Sequence, residues 1–185
     1  MPTITLIGYR GTGKSTVAAA LSRRLRCSWR DADTELEARI GCSITALVRD
    51  RGEAAFRREE SVVLGELLTA FDGVLATGGG VVLAAANRDL LRSRGRPIIW
   101  LTAPADVIRG RLAADPTTPD RRPALAGSDP LAEVSAALAA REPLYRECAD
   151  VAFDTAALAT DEVIDRIVVW LRERPAGSAE RGAPA

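Results

Sequence analysis

The sequence predicts an α/β fold in which a parallel sheet is covered by helices on both faces. Three observations carry that expectation. Strand-like apolar runs alternate with helical periodicity throughout the chain. The first such unit, residues 4–25, reads strand, glycine-rich loop, helix. Further on, a buried-looking strand at 74–77 runs straight into three glycines, and in open α/β sheets ligands bind at the carboxyl ends of strands.

The loop of the first unit, Gly8-Tyr9-Arg10-Gly11-Thr12-Gly13-Lys14-Ser15-Thr16, fits the phosphate-binding pattern G-x-x-x-x-G-K-[ST]. Gly8, Gly11 and Gly13 permit positive φ, so that consecutive backbone N–H groups can point at an anion. The following helix, with Val17, Leu21 and Leu25 on one face, adds its positive end. Lys14 is expected to reach the β- and γ-phosphates of a nucleotide, and the Ser15 hydroxyl to ligate the accompanying Mg²⁺. Lys14 is the only lysine among 25 basic residues, the rest being arginines. A chain that otherwise uses arginine has kept one compact ammonium where this loop requires it.

After a short, poor strand at 27–30, Asp31-Ala32-Asp33 places two carboxylates at i and i+2, which share a face if the segment is extended. Asp33 or Thr34 is expected to cap a helix ending near Gly41. The pair either caps alone, or Asp31 holds Mg²⁺ through water while Asp33 faces an acceptor. Ser43 caps a short helix that Gly52 breaks. From Glu53, the spacing of Phe56, Val63, Leu64, Leu67 and Leu68 is helical, with Arg57 and Glu60 three apart on its surface. Asp72-Gly73 turns the chain into the strand at 74–77, and Gly78-Gly79-Gly80 follows with backbone N–H groups exposed for a ligand. A helix at 87–94, a strand at 97–101 and a helix at 105–113 come next. Residues 115–127 hold three prolines and the pair Arg121-Arg122, which suits a lid. A helix over 131–149, interrupted at Pro143, a strand at 151–153 and an amphipathic helix at 161–172 complete one domain spanning 1–174. Residues 175–185 have nothing to bury and read as a disordered tail.

The totals exclude several classes of function. At 185 residues with 47% apolar and 27% charged content, the chain suits one soluble domain. A net charge of zero gives no global field for nucleic acid or for an anionic membrane. No apolar stretch is long enough to span a bilayer and no leader precedes the first strand, so a cytoplasmic protein is expected. Three scattered cysteines and no histidine leave no zinc pattern, and a general base near neutral pH must come from another group, such as an Asp.

Taken together, Gly8 to Thr16, Asp31-Ala32-Asp33, Phe56-Arg57-Arg58 with Glu60, Gly78-Gly79-Gly80, Arg122-Pro123 and Arg141-Glu142-Pro143-Leu144-Tyr145 resemble the shikimate kinases, in order and spacing, over about residues 3–172. The resemblance implies a three-layer P-loop kinase fold of the nucleoside monophosphate kinase type, with a five-stranded parallel sheet and a lid. It implies transfer of the ATP γ-phosphoryl to the 3-hydroxyl of shikimate with Mg²⁺, in aromatic amino acid biosynthesis, by a chain expected to be monomeric. It assigns ATP to Gly11, Thr12, Gly13, Lys14, Ser15 and Thr16, with Arg111 against adenine and Arg122 on the γ-phosphate. Asp33, Arg57, Gly79, Gly80 and Arg141 are assigned to shikimate, the two arginines to its carboxylate, with Glu60 orienting Arg57. Lys14, Asp33 and Arg122 are the implied catalytic residues, and Ser15 and Asp31 the implied Mg²⁺ shell. A gluconate kinase would keep the phosphate loop without needing both Arg57 and Arg141. Two features depart from the pattern: a longer, proline-rich lid that sets Arg121 beside Arg122 and leaves either guanidinium to enter the site, and Arg30, a charge in what should be a buried strand.

Overall fold

The computed structural model describes residues 3–114 and 130–174. Five strands, β1 (Ile4–Ile7), β2 (Trp29–Asp31), β3 (Val74–Ala76), β4 (Ile98–Thr102) and β5 (Val151–Asp154), form one parallel sheet in the order β2-β3-β1-β4-β5. Thr5 of β1 is in register with Leu75 of β3 on one side and Ile98 of β4 on the other. The strands alternate with α1 (Lys14–Leu25), α2 (Ala32–Ile40), α3 (Ile44–Arg51), α4 (Glu53–Ala70), α5 (Ala85–Arg94), α6 (Ala105–Ala114), α7 (Pro130–Cys148) and α8 (Thr160–Glu173). A single 3₁₀ turn, Val81–Leu83, lies between β3 and α5.

The sheet is buried on both faces because its middle strands are mostly apolar, Thr5 of β1 and Thr102 of β4 being the exceptions. Ile4 and Leu6 pack with Val17, Leu21 and the Val163, Ile164, Ile167 and Val168 stripe of α8. Ile7 and Leu75 face the opposite way, against Phe56, Leu64, Leu91 and Tyr145 of α4, α5 and α7. Alternation within a strand therefore serves two cores. A third, small cluster joins Tyr9 of the phosphate loop to Ile108 of α6 and Val134 of α7.

The strand order fixes where a ligand can bind. The chain leaves β1 toward β2 on one side, whereas it leaves β3 toward β4 on the other. Adjacent parallel strands whose connections diverge open a crevice at their carboxyl ends. The phosphate loop follows β1 and the glycine triplet follows β3, so both line that crevice. Thr77 ties them together, its N–H and its hydroxyl both donating to the Leu6 carbonyl, at 3.1 and 3.0 Å.

Four local expectations are corrected. Asp31, not Asp33 or Thr34, caps α2: the strand passes directly into the helix, and the Asp31 carboxylate accepts the N–H groups of Asp33 (3.0 Å) and Thr34 (3.4 Å). The two carboxylates are therefore related by a helix start rather than by an extended segment. Arg30 does not lie in a buried strand, since β2 is the sheet edge; it is exposed, pairs with Glu35 at 3.2 Å and lies over the Phe71 ring. Helix α5 begins at Ala85, two residues earlier than its periodicity implied. Finally, α7 runs through Pro143 without interruption. Pro143 and Ala139, whose carbonyl loses its partner, are both exposed, so water can replace the missing N–H.

Candidate functional site

The crevice holds a cavity of about 560 Å³ whose wall includes residues 10–17 of the phosphate loop and α1 together with Asp31, Asp33 and Gly79. Gly8, Gly11 and Gly13 all have positive φ, as the loop motif requires (143°, 80° and 85°). Lys14 is 8% exposed and its Nζ donates to the carbonyls of Gly8 (2.8 Å) and Tyr9 (2.9 Å), which holds it across the loop at the cavity wall. The Ser15 hydroxyl donates to Asp31 Oδ2 at 2.5 Å. Asp31 thus does two things, with one oxygen capping α2 and the other meeting the phosphate loop.

The glycine triplet is selected by space. None of Gly78, Gly79 and Gly80 has positive φ, and all three are buried. A Cβ at Gly78 would stand 2.7 Å from Asp33 Oδ1 and 2.7 Å from Glu60 Oε1. At Gly79 it would meet the Arg10 backbone N at 2.9 Å, and at Gly80 both terminal nitrogens of Arg57. The triplet is where the acidic pair, the phosphate loop and the α4 arginine converge.

Arg57 is held by two carboxylates. Its Nη1 pairs with Glu60 at 2.8 Å and its Nη2 with Glu53 at 3.0 Å, while its Cζ lies 4.7 Å from the centre of the Phe56 ring. Burial pulls the Arg57 guanidinium down, but the charges and hydrogen bonds of Glu60 and Glu53 outweigh it and hold the group above its ordinary value. Glu60 is 5% exposed, and its second oxygen, Oε1, has no hydrogen-bond partner among the described residues. Arg141 approaches from α7: its Nη1 donates to the Gly79 carbonyl at 3.3 Å, and its Cζ lies 5.1 Å from the centre of the Tyr9 ring. Neither Arg57 nor Arg141 belongs to the cavity wall; Arg141 meets Gly79, which does, and Arg57 stands against the neighbouring Gly80.

Arg111 does line the cavity. Its guanidinium is tied to the Thr155 hydroxyl (3.0 Å), the Thr155 carbonyl (2.6 Å) and the Gly11 carbonyl (3.3 Å). Arg121 and Arg122, with the expected lid at 115–127, lie outside the described residues, as does the expected tail at 175–185.

Two residues to which the sequence assigned no role, Thr155 and the Tyr145 of the Arg141–Tyr145 motif, take part in the site. Thr155 lines the cavity, and its hydroxyl lies within hydrogen-bonding distance of the Thr12 (3.0 Å) and Thr102 (3.1 Å) carbonyls, which joins the phosphate loop to the ends of β4 and β5. Its place just after a parallel strand is the signal that could have found it. Tyr145 is buried against Trp100 and donates its hydroxyl to the Gly79 carbonyl at 2.5 Å. A buried tyrosine needs such a partner.

Comparison with known proteins agrees with this arrangement. The family model "Shikimate kinase" matches residues 10–172. The shikimate kinase of Pseudomonas syringae pv. tomato is 39% identical over 175 residues, covering 95% of this chain and 99% of that protein. That of Halorhodospira halophila is 43% identical over 173 residues, covering 93% and 94%. Among solved structures, shikimate kinase from Acinetobacter baumannii in complex with shikimate superposes with a TM-score of 0.84 at 34% identity, covering 95% of this chain and 96% of that one. Since the matched region reaches from inside the phosphate loop into α8 and nearly the full length of each relative is covered, the chain belongs to the shikimate kinase family.

Proposed function

We propose that the chain moves the γ-phosphoryl group of ATP to the 3-hydroxyl of shikimate in the crevice between β1 and β3, with the donor on the phosphate loop and the acceptor against the glycine triplet. The observation that carries this reading is the convergence at Gly78–Gly80: a carboxylate for the acceptor hydroxyl, a guanidinium for a carboxylate and the phosphate loop all lie within contact of three consecutive residues.

In this reading Asp33 accepts the hydroxyl proton late in the transfer, because phosphoryl transfer leaves the protein chiefly positioning and charge stabilisation to supply. Arg57 and Arg141 bind the acceptor carboxylate, a planar group that suits a guanidinium fork. Lys14 reaches the β- and γ-phosphates, and Arg122 is assigned to the transferring group. Arg111, fixed by Thr155, forms the wall at the base end of the nucleotide.

The Ser15 hydroxyl and the Asp31 carboxylate also fit Mg²⁺. Both are hard oxygen donors, they lie 2.5 Å apart, and they line the same cavity. Among the described residues no group of three or more acidic, Cys or His side chains could cage a metal. A nucleotide-borne Mg²⁺ needs no such cage, since phosphates and water complete its shell. When bound, the ion neutralises phosphate charge. We further propose a single kinase domain over residues 1–174 that acts as a monomer. Among the described residues no helix is long and apolar enough to cross a membrane.

The test is ADP release by the purified protein with Mg²⁺ and ATP, comparing shikimate, gluconate and no acceptor. Turnover is expected with shikimate alone. A folded, ATP-binding protein that is silent with shikimate would overturn the acceptor assignment.

A further inference from the structure

Tyr9 sits at a position of the phosphate loop whose side chain the motif leaves open, yet it is only 3% exposed. Its two halves face different parts of the site. The Tyr9 carbonyl accepts the Thr12 hydroxyl at 2.7 Å and Lys14 Nζ at 2.9 Å, on the nucleotide side. The ring packs with Ile108 of α6 and Val134 of α7 and carries the Arg141 guanidinium over its face at 5.1 Å. Among the described residues the other polar contact of Arg141, from Nη1 to the Gly79 carbonyl, is long at 3.3 Å.

We propose that Tyr9 is a positioning residue for the acceptor: its ring face orients Arg141, so that the loop gripping the nucleotide also sets the affinity for the acceptor's carboxylate. The proposal rests on the assignment of Arg141 to that carboxylate. A ring face suits this task better than a hydrogen bond. It attracts the cation through its quadrupole and restrains a long side chain, and it consumes none of the in-plane N–H donors that a carboxylate needs. A carboxylate partner for Arg141 would compete with the acceptor, whereas an aromatic face does not.

The measurement is steady-state kinetics of Tyr9→Leu and Tyr9→Phe, using shikimate and its carboxamide counterpart, with Arg141→Ala as a reference. Tyr9→Leu keeps apolar bulk against α6 and α7 but removes the ring face. Its KM for shikimate is expected to rise about threefold to tenfold, the usual worth of such a contact, with the KM for ATP and kcat within about twofold. Tyr9→Phe should restore the shikimate KM, and the carboxamide should be handled alike by all three Tyr9 forms. If Tyr9→Leu does not fold, Tyr9→Met takes its place and is read in the same way. A rise in both KM values together, or an equal penalty on the carboxamide, overturns the proposal and leaves Tyr9 a core residue. Should Arg141→Ala raise the shikimate KM while Tyr9→Leu does not, the positioning role fails and the carboxylate assignment stands. If Arg141→Ala leaves the shikimate KM unchanged, the assignment itself fails, and the proposal with it.

Discussion

Each glycine of the triplet is fixed by what stands opposite it, and substituting them should separate the two halves of the site. In Gly80→Ala the new methyl meets the end of the Arg57 side chain, which can move aside at the loss of its aim. The shikimate KM should rise about tenfold, the worth of one hydrogen bond to a charged group, with the ATP KM little changed. In Gly79→Ala the methyl meets the Arg10 backbone N at 2.9 Å, and backbone cannot swing away. Both KM values should therefore rise, and steady-state kinetics with each substrate varied would distinguish the two outcomes. At Asp33, replacement by Asn keeps the shape and removes the proposed proton acceptor. We expect kcat to fall at least about a hundredfold, on the scale of one transition-state contact. Near-normal turnover in folded Asp33→Asn would refute the general-base role. The sequence named these residues but not the reason for the glycines. A glycine chosen for space has no signature until Arg57, Glu60 and Arg10 are seen around it, whereas the positive φ of Gly8, Gly11 and Gly13 was legible from the motif, although at Gly8 a Cβ would also meet the Leu101 carbonyl.

Elements were readable where periodicity or punctuation marked them and less so where a single side chain served two elements. The stripe on α8 and the run from Phe56 to Leu68 were plain, because an apolar face at 3.6-residue spacing has one structural meaning. The start of α2 was misplaced because nothing local announces that a strand residue will cap the next helix. That placement carries its own consequence. Asp31→Ala should destabilise the fold by about 1 kcal/mol through the lost cap, whereas Asp31→Asn, also a good cap, should cost less. Both replacements remove the charge beside Ser15, so both should raise the Mg²⁺ concentration needed for half-maximal rate. Urea unfolding and a Mg²⁺ titration read the two effects separately. Equal stability loss in both variants would mean that the cap is not what Asp31 contributes to α2. The helix through Pro143 shows the opposite limit, since tertiary packing around Tyr145 and Cys148 holds a segment that local propensity would break.

At the scale of the molecule, strand order could not be read from sequence without the family resemblance, because alternation gives the fold class but not which strands are neighbours. Once the order is known, the site follows from it, and so does the burial of Cys148, which lies at the end of α7 within the core on one face of the sheet. Burial, with a smaller push from Glu147, raises this thiol from 9.0 to about 11. With no histidine in the chain, no imbalance of imidazole charge obscures the neutral range. A thiol whose pKa is higher folded than unfolded keeps its proton longer in the native state. Its contribution is therefore complete below about pH 9 and is lost as pH rises through about 11. Above pH 9 the unfolded chain binds fewer protons than the native one, so the slope of stability against pH is negative. By pH 10 the loss should be on the order of 1 kcal/mol relative to pH 8. Burial raises Cys27 in the same direction, so the wild-type curve alone would mix the two thiols. Comparison with Cys148→Ala isolates the buried one: that variant starts lower because of its cavity but should fall less steeply between pH 8 and pH 10. Urea unfolding at fixed ionic strength measures the difference in slope. Parallel curves for the two proteins would show that Cys148 ionises as readily in the native state as in the unfolded one, and that the core beneath α7 is open to water.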